Sequence, residues 1–348
     1  MAPRHARGGL IAGLGRFAPD RFILALLGAV TLATVLPCQG GAARGFAIAV
    51  NLAIGLLFFL HGAKLSRADI LAGAGHWRLH LIVLTSTFVL FPIMGLALRA
   101  LPATWVSPSI TAGMLYLCLL PSTVQSSIAF TSIARGNVPA AVCSASASNL
   151  IGVFLTPALA AVLMGASGRT GNMTAAIEAV MLQLLAPFVA GHLLRPVIGK
   201  FISGHKKVLN MVDRGSILLV VYTAFSAAVI EGLWRKLGPT QLLQTLVMCA
   251  LVLGVALLAT AWAARRLGFP REDQIAIVFC GSKKSLASGV PLAGILFPPA
   301  SVGVLIIPLM IFHQMQLMIC AVLARRYAAE QRGGEEPSLV PVILGGAP

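Results

Sequence analysis

The chain has 348 residues, of which 58% are hydrophobic and only 10% are charged, and its mean hydropathy is +0.91. Soluble globular domains carry roughly 25% charged residues, so this composition excludes one and predicts an integral membrane protein with several spans. The formal net charge of +16 does not indicate nucleic-acid binding, because the basic residues are dispersed between apolar runs along the whole chain.

The first twenty residues, 1–20, are basic but contain neither an apolar core nor a small-residue cleavage site. We interpret them as a cytoplasmic tail rather than a signal peptide. The six cysteines show no CxxC or Cys/His spacing, and they therefore indicate neither a metal site nor a disulfide framework.

Ten apolar runs follow this tail. Because backbone groups inside a bilayer must bond within the protein, and because the runs are too long and continuous for barrel strands, we predict a helix for each. The predicted spans are residues 21–38, 46–63, 77–101, 108–135, 137–164, 174–195, 215–231, 239–264, 272–298 and 300–324. The sequence thus predicts an all-α polytopic membrane protein of ten helices, followed by a second cytoplasmic tail, 325–348.

The basic residues predict the orientation of these spans. If the N-terminus is cytoplasmic, most Lys and Arg residues fall on the cytoplasmic side, as the positive-inside rule requires. This predicts a protein of the inner (plasma) membrane with both termini in the cytoplasm. One cytoplasmic segment, 195–214, is predicted to be a basic loop that contains Asp213. Its basic residues either orient the chain or bind a partner or an anionic lipid headgroup.

The fourth and ninth spans are interrupted near their middles. The stretch 121–127 (PSTVQSS) breaks the fourth, and 281–285 (GSKKS) breaks the ninth. Since the two breaks are five spans apart, and five is odd, we predict two inverted five-helix repeats, 21–164 and 174–324. Inverted repeats with broken helices are typical of secondary transporters, whose sites lie where the breaks meet.

Small polar residues surround the first break and are candidate ligands for a substrate or an ion. They are Ser122, Thr123, Gln125, Ser126 and Ser127 at the break, and Ser144, Ser148 and Asn149 on the next span. The alternative for any single serine is a role in helix packing or capping. For the whole cluster we favour ligand binding, because so many polar groups at membrane depth are costly unless they line a cavity.

The second break places Lys283 and Lys284 between Ser282 and Ser285. Lys283 lies about 18 Å into its span, where ionisable residues are functional candidates. The alternative is an interfacial pair that reaches the headgroups. Successive helical residues point about 100° apart, so one lysine is expected to line the site while the other snorkels or binds backbone carbonyls.

No carboxylate is predicted near either break to neutralise these lysines. Their charge must be balanced by backbone dipoles, removed by loss of a proton, or met by an anionic substrate. The half-helix N-termini add positive potential, so the site should prefer anions. His313 and Gln314, in the last span, are second-rank candidates for a proton relay, whereas His61 and His192 are predicted to be satisfied core groups.

Two stretches resemble the bile acid:sodium symporter superfamily, and in particular its SBF-like branch, similar to the solute carrier family ten member seven group. They are residues 134–159 (ARGNVPAAVCSASASNLIGVFLTPAL) and 279–299 (FCGSKKSLASGVPLAGILFPP). The resemblance implies a core domain of spans 3–5 and 8–10, with crossed broken helices 4 and 9. It also implies a panel domain of spans 1, 2, 6 and 7 that moves against the core.

In the sodium-coupled relatives, side chains at the two breaks bind two sodium ions. The matching positions here are Ser126 and Ser127, with Ser144 and Ser148 nearby. The relatives carry an acidic residue and a glutamine at the second break, where this chain has Cys280 and, at about the glutamine position, Lys284. This departure counts against both sodium sites and suggests that a lysine ammonium replaces at least one sodium ion.

We therefore predict a secondary active transporter of an organic anion that works by alternating access and is sodium-independent or proton-coupled. The alternatives are a sodium-coupled organic anion symporter, or a non-transporting membrane regulator with the same fold. No enzyme motif occurs, and no cofactor is implied apart from Na⁺ or H⁺ as a coupling ion. The expected partners are a small anionic substrate and the lipid bilayer, and not nucleic acid.

Overall fold

A computed structural model describes residues 21–64, 74–165, 181–236 and 238–333, and all regular structure within these ranges is helical. The α-helices are α1 (Arg21–Val35), α2 (Gly40–Lys64), α3 (Trp77–Thr85), α4 (Phe91–Arg99), α5 (Pro108–Leu119), α6 (Gln125–Ile133), α7 (Val138–Met164), α8 (Ala186–Gly204), α9 (Lys206–Ile230), α10 (Leu233–Lys236), α11 (Pro239–Arg266), α12 (Arg271–Gly281), α13 (Leu286–Leu296) and α14 (Pro299–Gly333). A π-helical segment, Ser86–Leu90, joins α3 to α4, and another, Met181–Leu185, leads into α8.

Six helical segments within the described ranges are long and apolar enough to cross a membrane. They are Gly40–Lys64, Trp77–Arg99, Val138–Met164, Lys207–Ile230, Pro239–Arg266 and Pro299–Gln331. Large apolar side chains on their outer faces are exposed, for example Leu52 on α2 and Leu258 on α11. Such faces suit contact with lipid, and the chain is a multi-pass membrane protein. The count of ten spans and the inverted repeat stay predictions.

Both predicted interruptions are present in the structure. Residues 120–124 separate α5 from α6, and residues 282–285 separate α12 from α13. Each half is about a dozen residues or shorter, so neither half alone could cross a bilayer of about 30 Å. Pro121 explains the first break, because it lacks the N–H that would continue the helix.

The helices pack as two groups around these breaks. In one, α2 packs against α8, and α9 packs against α1 and α2. In the other, α3 to α7 pack with α11 to α14. Helix α9 joins the groups, because it also packs against α13 and α14. The division into panel and core domains stays a prediction.

The contact between α2 and α8 depends on two glycines. A Cβ atom added at Gly62 would lie 1.9 Å from the carbonyl oxygen of Phe188, and one added at Gly191 would lie 2.0 Å from that of Phe59. Each helix therefore presents a glycine to the backbone of the other. Close approach of this kind through small residues is a common way to pack helices in membranes.

The prediction that 195–214 forms a loop is wrong. Helix α8 continues to Gly204, and α9 begins at Lys206 after the single residue His205. Charged side chains do not end a helix once it leaves the apolar layer, because water solvates them while the backbone bonds persist. Asp213, predicted to lie in that loop, is on α9 and is buried. The predicted tail 1–20, the residues 166–180 and the last residues 334–348 lie outside the described ranges.

Candidate functional site

The two breaks lie against each other. The backbone N–H of Ser285, in the second break, donates to the carbonyl of Pro121 in the first, at 2.9 Å. In return, the hydroxyls of Ser122 and Ser127 donate to carbonyls at the end of α12, those of Cys280 and Phe279. A helix end in a low-dielectric interior needs such partners, because its last carbonyls have no donors within the helix.

Every carbonyl from residue 118 to 122, at the end of α5 and in the first break, accepts a hydrogen bond from another element or another side chain. Thr156 donates to Leu119, Asn149 donates to Ser122, and Lys284 donates to both Cys118 and Leu120. The N–H of Ser122 donates to the hydroxyl of Ser148 at 3.1 Å. The unwound segment is thus held by side chains that replace its missing helical bonds.

Lys284 is fully buried, and its ammonium group lies among three backbone carbonyls. Nζ is 2.8 Å from the oxygen of Thr87, 3.0 Å from that of Cys118 and 2.6 Å from that of Leu120. It also lies 4.1 Å from the centre of the Phe91 ring. Carbonyl dipoles at the C-terminal end of α5 and the face of an aromatic ring both stabilise a cation. The geometry is that of a cation site with the cation attached to the chain.

The π-helical segment explains why Thr87 has a carbonyl to offer. The N–H of Phe91, four residues on, bonds instead to Ser86. The residue five positions on is Pro92, which has no N–H. Neither of these two positions therefore donates to the Thr87 oxygen, and the Lys284 ammonium does so at 2.8 Å. A π-helical turn at such a place is typical of functional sites.

Lys283 is also fully buried, but its ammonium has different partners. Nζ donates to the Ser126 carbonyl at 2.9 Å and lies 4.1 Å from the centre of the Phe130 ring and 5.1 Å from that of Phe279. The two ammonium groups thus have different partners, although residues 282–285 are not helical and the 100° step does not apply to them.

Gln316 on α14 holds the backbone of Lys284 in place. Its amide oxygen accepts from the N–H of Lys284, and its Nε2 donates to the carbonyl of the same residue, both at 2.9 Å. Nε2 also donates to Nδ1 of His313 at 3.0 Å. Because Lys284 determines the orientation of the amide, Nδ1 of His313 must accept, and a neutral His313 ring carries its hydrogen at Nε2. His313 is therefore linked to the second break through one side chain.

A cavity of about 400 Å³ lies beside the two breaks. One wall comes from the breaks, α7 and α14: Thr123, Gln125, Ser126, Ser146, Asn149, Ser285, Ser288 and His313. The opposite wall comes from α1, α2, α8 and α9: Phe22, Phe58, His61, Lys64, Phe188, Asn210, Asp213, Arg214 and Ile217. The cavity therefore separates the two packing groups of helices, with polar and apolar side chains on both sides.

The structure divides the predicted site residues into two sets. Six line the cavity, namely Thr123, Gln125, Ser126, Asn149, Ser285 and His313. The others do not line it, namely Ser122, Ser127, Ser144, Ser148, Cys280, Ser282, Lys283, Lys284 and Gln314. Most members of the second set bond to backbone or to other side chains. Ser282 donates to the Val278 carbonyl, and Ser144 bonds to His80.

The expectation that one lysine would line the site is not met by this geometry. Both lysines are 0% exposed, because Lys284 lies among three carbonyls and Lys283 lies between a carbonyl and two aromatic rings, and neither lines the cavity. The two lysines stabilise the breaks, while the polar residues N-terminal to α6 and at the start of α13 face the cavity.

Sequence reasoning missed the wall formed by α2 and α9. The sequence predicts His61 to be a core group and Asp213 to lie in a loop, whereas both line the cavity. Lys64 and Asp213 form an ion pair across the two helices. The signal that could have found them is the spacing of the polar side chains. His61 and Lys64 stand three apart at the end of α2, and Asn210 and Asp213 stand three apart near the start of α9, so each pair shares a helix face.

Comparison with known proteins identifies relatives of similar length. The sequence model of the SBF-like CPA transporter family matches residues 20–329. A protein of Pseudomonas aeruginosa described as uncharacterized is 61% identical over 313 residues, which are 90% of this chain and 94% of that protein. The Escherichia coli protein named "Putative symporter YfeH" is 54% identical over 308 residues, 88% of this chain and 92% of that one. Sodium/bile acid cotransporter 7 of Danio rerio is 25% identical over 342 residues, 96% of this chain and 100% of that one.

Proposed function

Since the chain belongs to the SBF-like CPA transporter family, we propose that it is a secondary active transporter that moves a small organic anion by alternating access. The predicted membership of the bile acid:sodium symporter superfamily is confirmed, and so is the prediction of a transporter rather than an enzyme. The observation that carries the proposal is the cavity that separates the two groups of helices beside the broken pair.

The proposed movement follows from that cavity. Helices α1, α2, α8 and α9 act as the panel, the remaining ones as the core, and the cargo binds where they meet. Sliding of one group past the other exposes the cargo to either side of the membrane. In this proposal ten spans form two inverted repeats, the membrane is the inner one, and both termini are cytoplasmic.

The preference for anions follows from the charges on the cavity walls. Lys64, Arg214, His61 and His313 line it, and Asp213 is the one acidic residue among the described lining residues. The described lining residues thus include two basic side chains, Lys64 and Arg214, and one acidic side chain, Asp213, so their summed formal charge is positive. The starts of α6 and α13 also direct backbone N–H groups toward this region.

Independence from sodium follows from the two lysines. The Lys284 ammonium already bonds to three carbonyl oxygens. It therefore takes the place of a sodium ion bound to the same oxygens and supplies the same positive charge. The transporter is therefore sodium-independent in this proposal, and any coupling uses protons.

The test is uptake into proteoliposomes that contain the purified protein, with a panel of carboxylated and sulfated anions. We expect at least one anion to accumulate at a rate that stays the same when sodium is replaced by choline. The pH gradient is varied separately, so that proton coupling is measured in the same assay.

Two outcomes would contradict the proposal in different ways. Sodium-stimulated uptake that keeps its full size in the Lys283→Gln, Lys284→Gln double variant would rule out the role of the lysines and favour a sodium-coupled symporter. Absence of any flux across the whole panel would favour a non-transporting regulator.

A further inference from the structure

On the cavity wall opposite the breaks, the carboxylate of Asp213 has one oxygen without a hydrogen-bond partner among the described residues. Asp213 is 8% exposed and forms an ion pair with Lys64 through Oδ2. Its second oxygen, Oδ1, is buried and has no hydrogen-bond donor among the described residues. Oδ1 therefore belongs to a residue that lines the cavity and has capacity for one more donor.

The surroundings of Asp213 hold its carboxylate in place. Lys64 fixes Oδ2, and the Lys64 carbonyl in turn accepts from Arg195 on α8 at 3.1 Å. The next residue, Arg214, lies over the ring of Phe22, with Cζ 5.2 Å from its centre. His61, one turn before Lys64, donates from Nδ1 to the Leu57 carbonyl at 2.9 Å when that nitrogen carries the hydrogen. These contacts orient the ion pair rather than consume the second oxygen.

This oxygen has no donor among the described residues before cargo enters the cavity. A buried carboxylate oxygen without a donor costs free energy, and cargo that supplies a donor recovers that free energy, whereas cargo without one does not. A site with a fixed acceptor therefore discriminates against ligands that lack the matching donor group. The discrimination acts on one end of the cargo, since the starts of α6 and α13 on the opposite wall attract the acidic group at the other end.

We infer that Asp213 is a specificity-determining residue that selects anions carrying an N–H or O–H donor at a distance from the acidic group. The inference rests on the proposed function and adds the class of cargo: amino acids or hydroxy acids with separated ends, rather than simple carboxylates. Phe58, Phe188 and Ile217 line the same wall and contact the apolar part of such a molecule.

Three probes of equal chain length test this. They are ε-aminocaproate, ε-hydroxycaproate and caproate, and their dissociation constants are measured by calorimetry on the purified full-length protein in nanodiscs. We expect caproate to bind at least about tenfold more weakly than the better of the two donor-bearing probes. Comparison of those two shows whether an ammonium or a hydroxyl suits the site.

Variants of Asp213 test the residue itself. In Asp213→Asn, Lys64 still requires an acceptor, so the amide oxygen faces Lys64 and the amide NH₂ takes the place of Oδ1. The preference for donor-bearing probes should then disappear. Since loss of the pair could impair folding, the Lys64→Met, Asp213→Leu double variant removes both charges together, and it should bind caproate as well as the other probes.

The control is Glu231→Gln. Glu231 is the residue directly after α9, at the end of the helix far from Asp213. It is exposed and does not line the cavity, so the preference for donor-bearing probes should be unchanged. Equal binding of the three probes by the wild type, or a preference that survives Asp213→Asn, would overturn this inference alone. If no probe binds the wild type while other anions are transported, the assigned cargo class is wrong. If no anion is transported either, the proposed function fails with it.

Discussion

Replacing Lys284 with alanine is expected to destabilise the folded protein by about 3 kcal/mol or more, and sodium ions should restore part of that loss. The variant removes the donor from three buried carbonyls, those of Thr87, Cys118 and Leu120, and each unsatisfied acceptor costs about 1–3 kcal/mol. It also leaves a space whose oxygens converge on one point. A hard cation that prefers oxygen ligands can occupy that space, and binding to the native state alone raises stability by mass action.

The measurement is the melting temperature of the purified protein in sodium chloride and in choline chloride at the same ionic strength. The wild type should melt at one temperature in both salts, whereas Lys284→Ala should melt higher in sodium. Lys207→Ala is the matched control, because Lys207 is an exposed lysine on α9. Equal stability of the two alanine variants, or the absence of a sodium effect in Lys284→Ala, would argue against a lysine that replaces a cation.

Replacing Gly62 with alanine is expected to cost a comparable amount, about 3 kcal/mol, through a different mechanism. The new Cβ would lie 1.9 Å from the backbone oxygen of Phe188, so α2 and α8 must separate. Backbone cannot move aside as a flexible side chain can, and overpacking of this kind usually costs 1–3 kcal/mol or more. Because His61 and Phe188 line the cavity, the separation should also weaken binding of the cargo.

To measure this effect, the protein is heated, and the fraction that stays monodisperse is determined by size-exclusion chromatography. Gly55→Ala is the control on the same helix, since a Cβ at Gly55 meets no atom within 4 Å. That variant should be neutral or slightly stabilising, because alanine favours the helical state. A Gly62→Ala protein that survives heating as well as Gly55→Ala would show that the two helices are not in close contact.

The sequence predicts the helical framework well where local signals are strong. The apolar runs and their flanking glycines, prolines and charges locate α7 and α11 to within a few residues, and Pro121 locates the first break. These features depend on neighbouring residues alone.

The parts of the site that were missed depend on contacts between distant residues. Asp213 appears in a polar, basic stretch, and only its pairing with Lys64, 149 positions away, reveals that it is buried. The Thr87 carbonyl depends likewise on a π-helical turn that hydropathy cannot detect. The sequence shows that the serines at the breaks are an unusual cluster of polar residues at membrane depth. It could not separate Ser122 and Ser127, which bond to backbone, from Ser126, which faces the cavity.

The covalent attachment of the Lys284 ammonium has a thermodynamic consequence. The occupancy of a site by a free ion rises with the concentration of the ion on each side of the membrane, and release of the ion is what allows a gradient to perform work on the cargo. A charge tethered by a side chain has the same effective concentration at all times and cannot be released. The break between α12 and α13 then always contains a bound positive charge. In the proposed mechanism, the balance between the inward and outward forms is set by the cargo and the membrane potential rather than by the salt outside the cell.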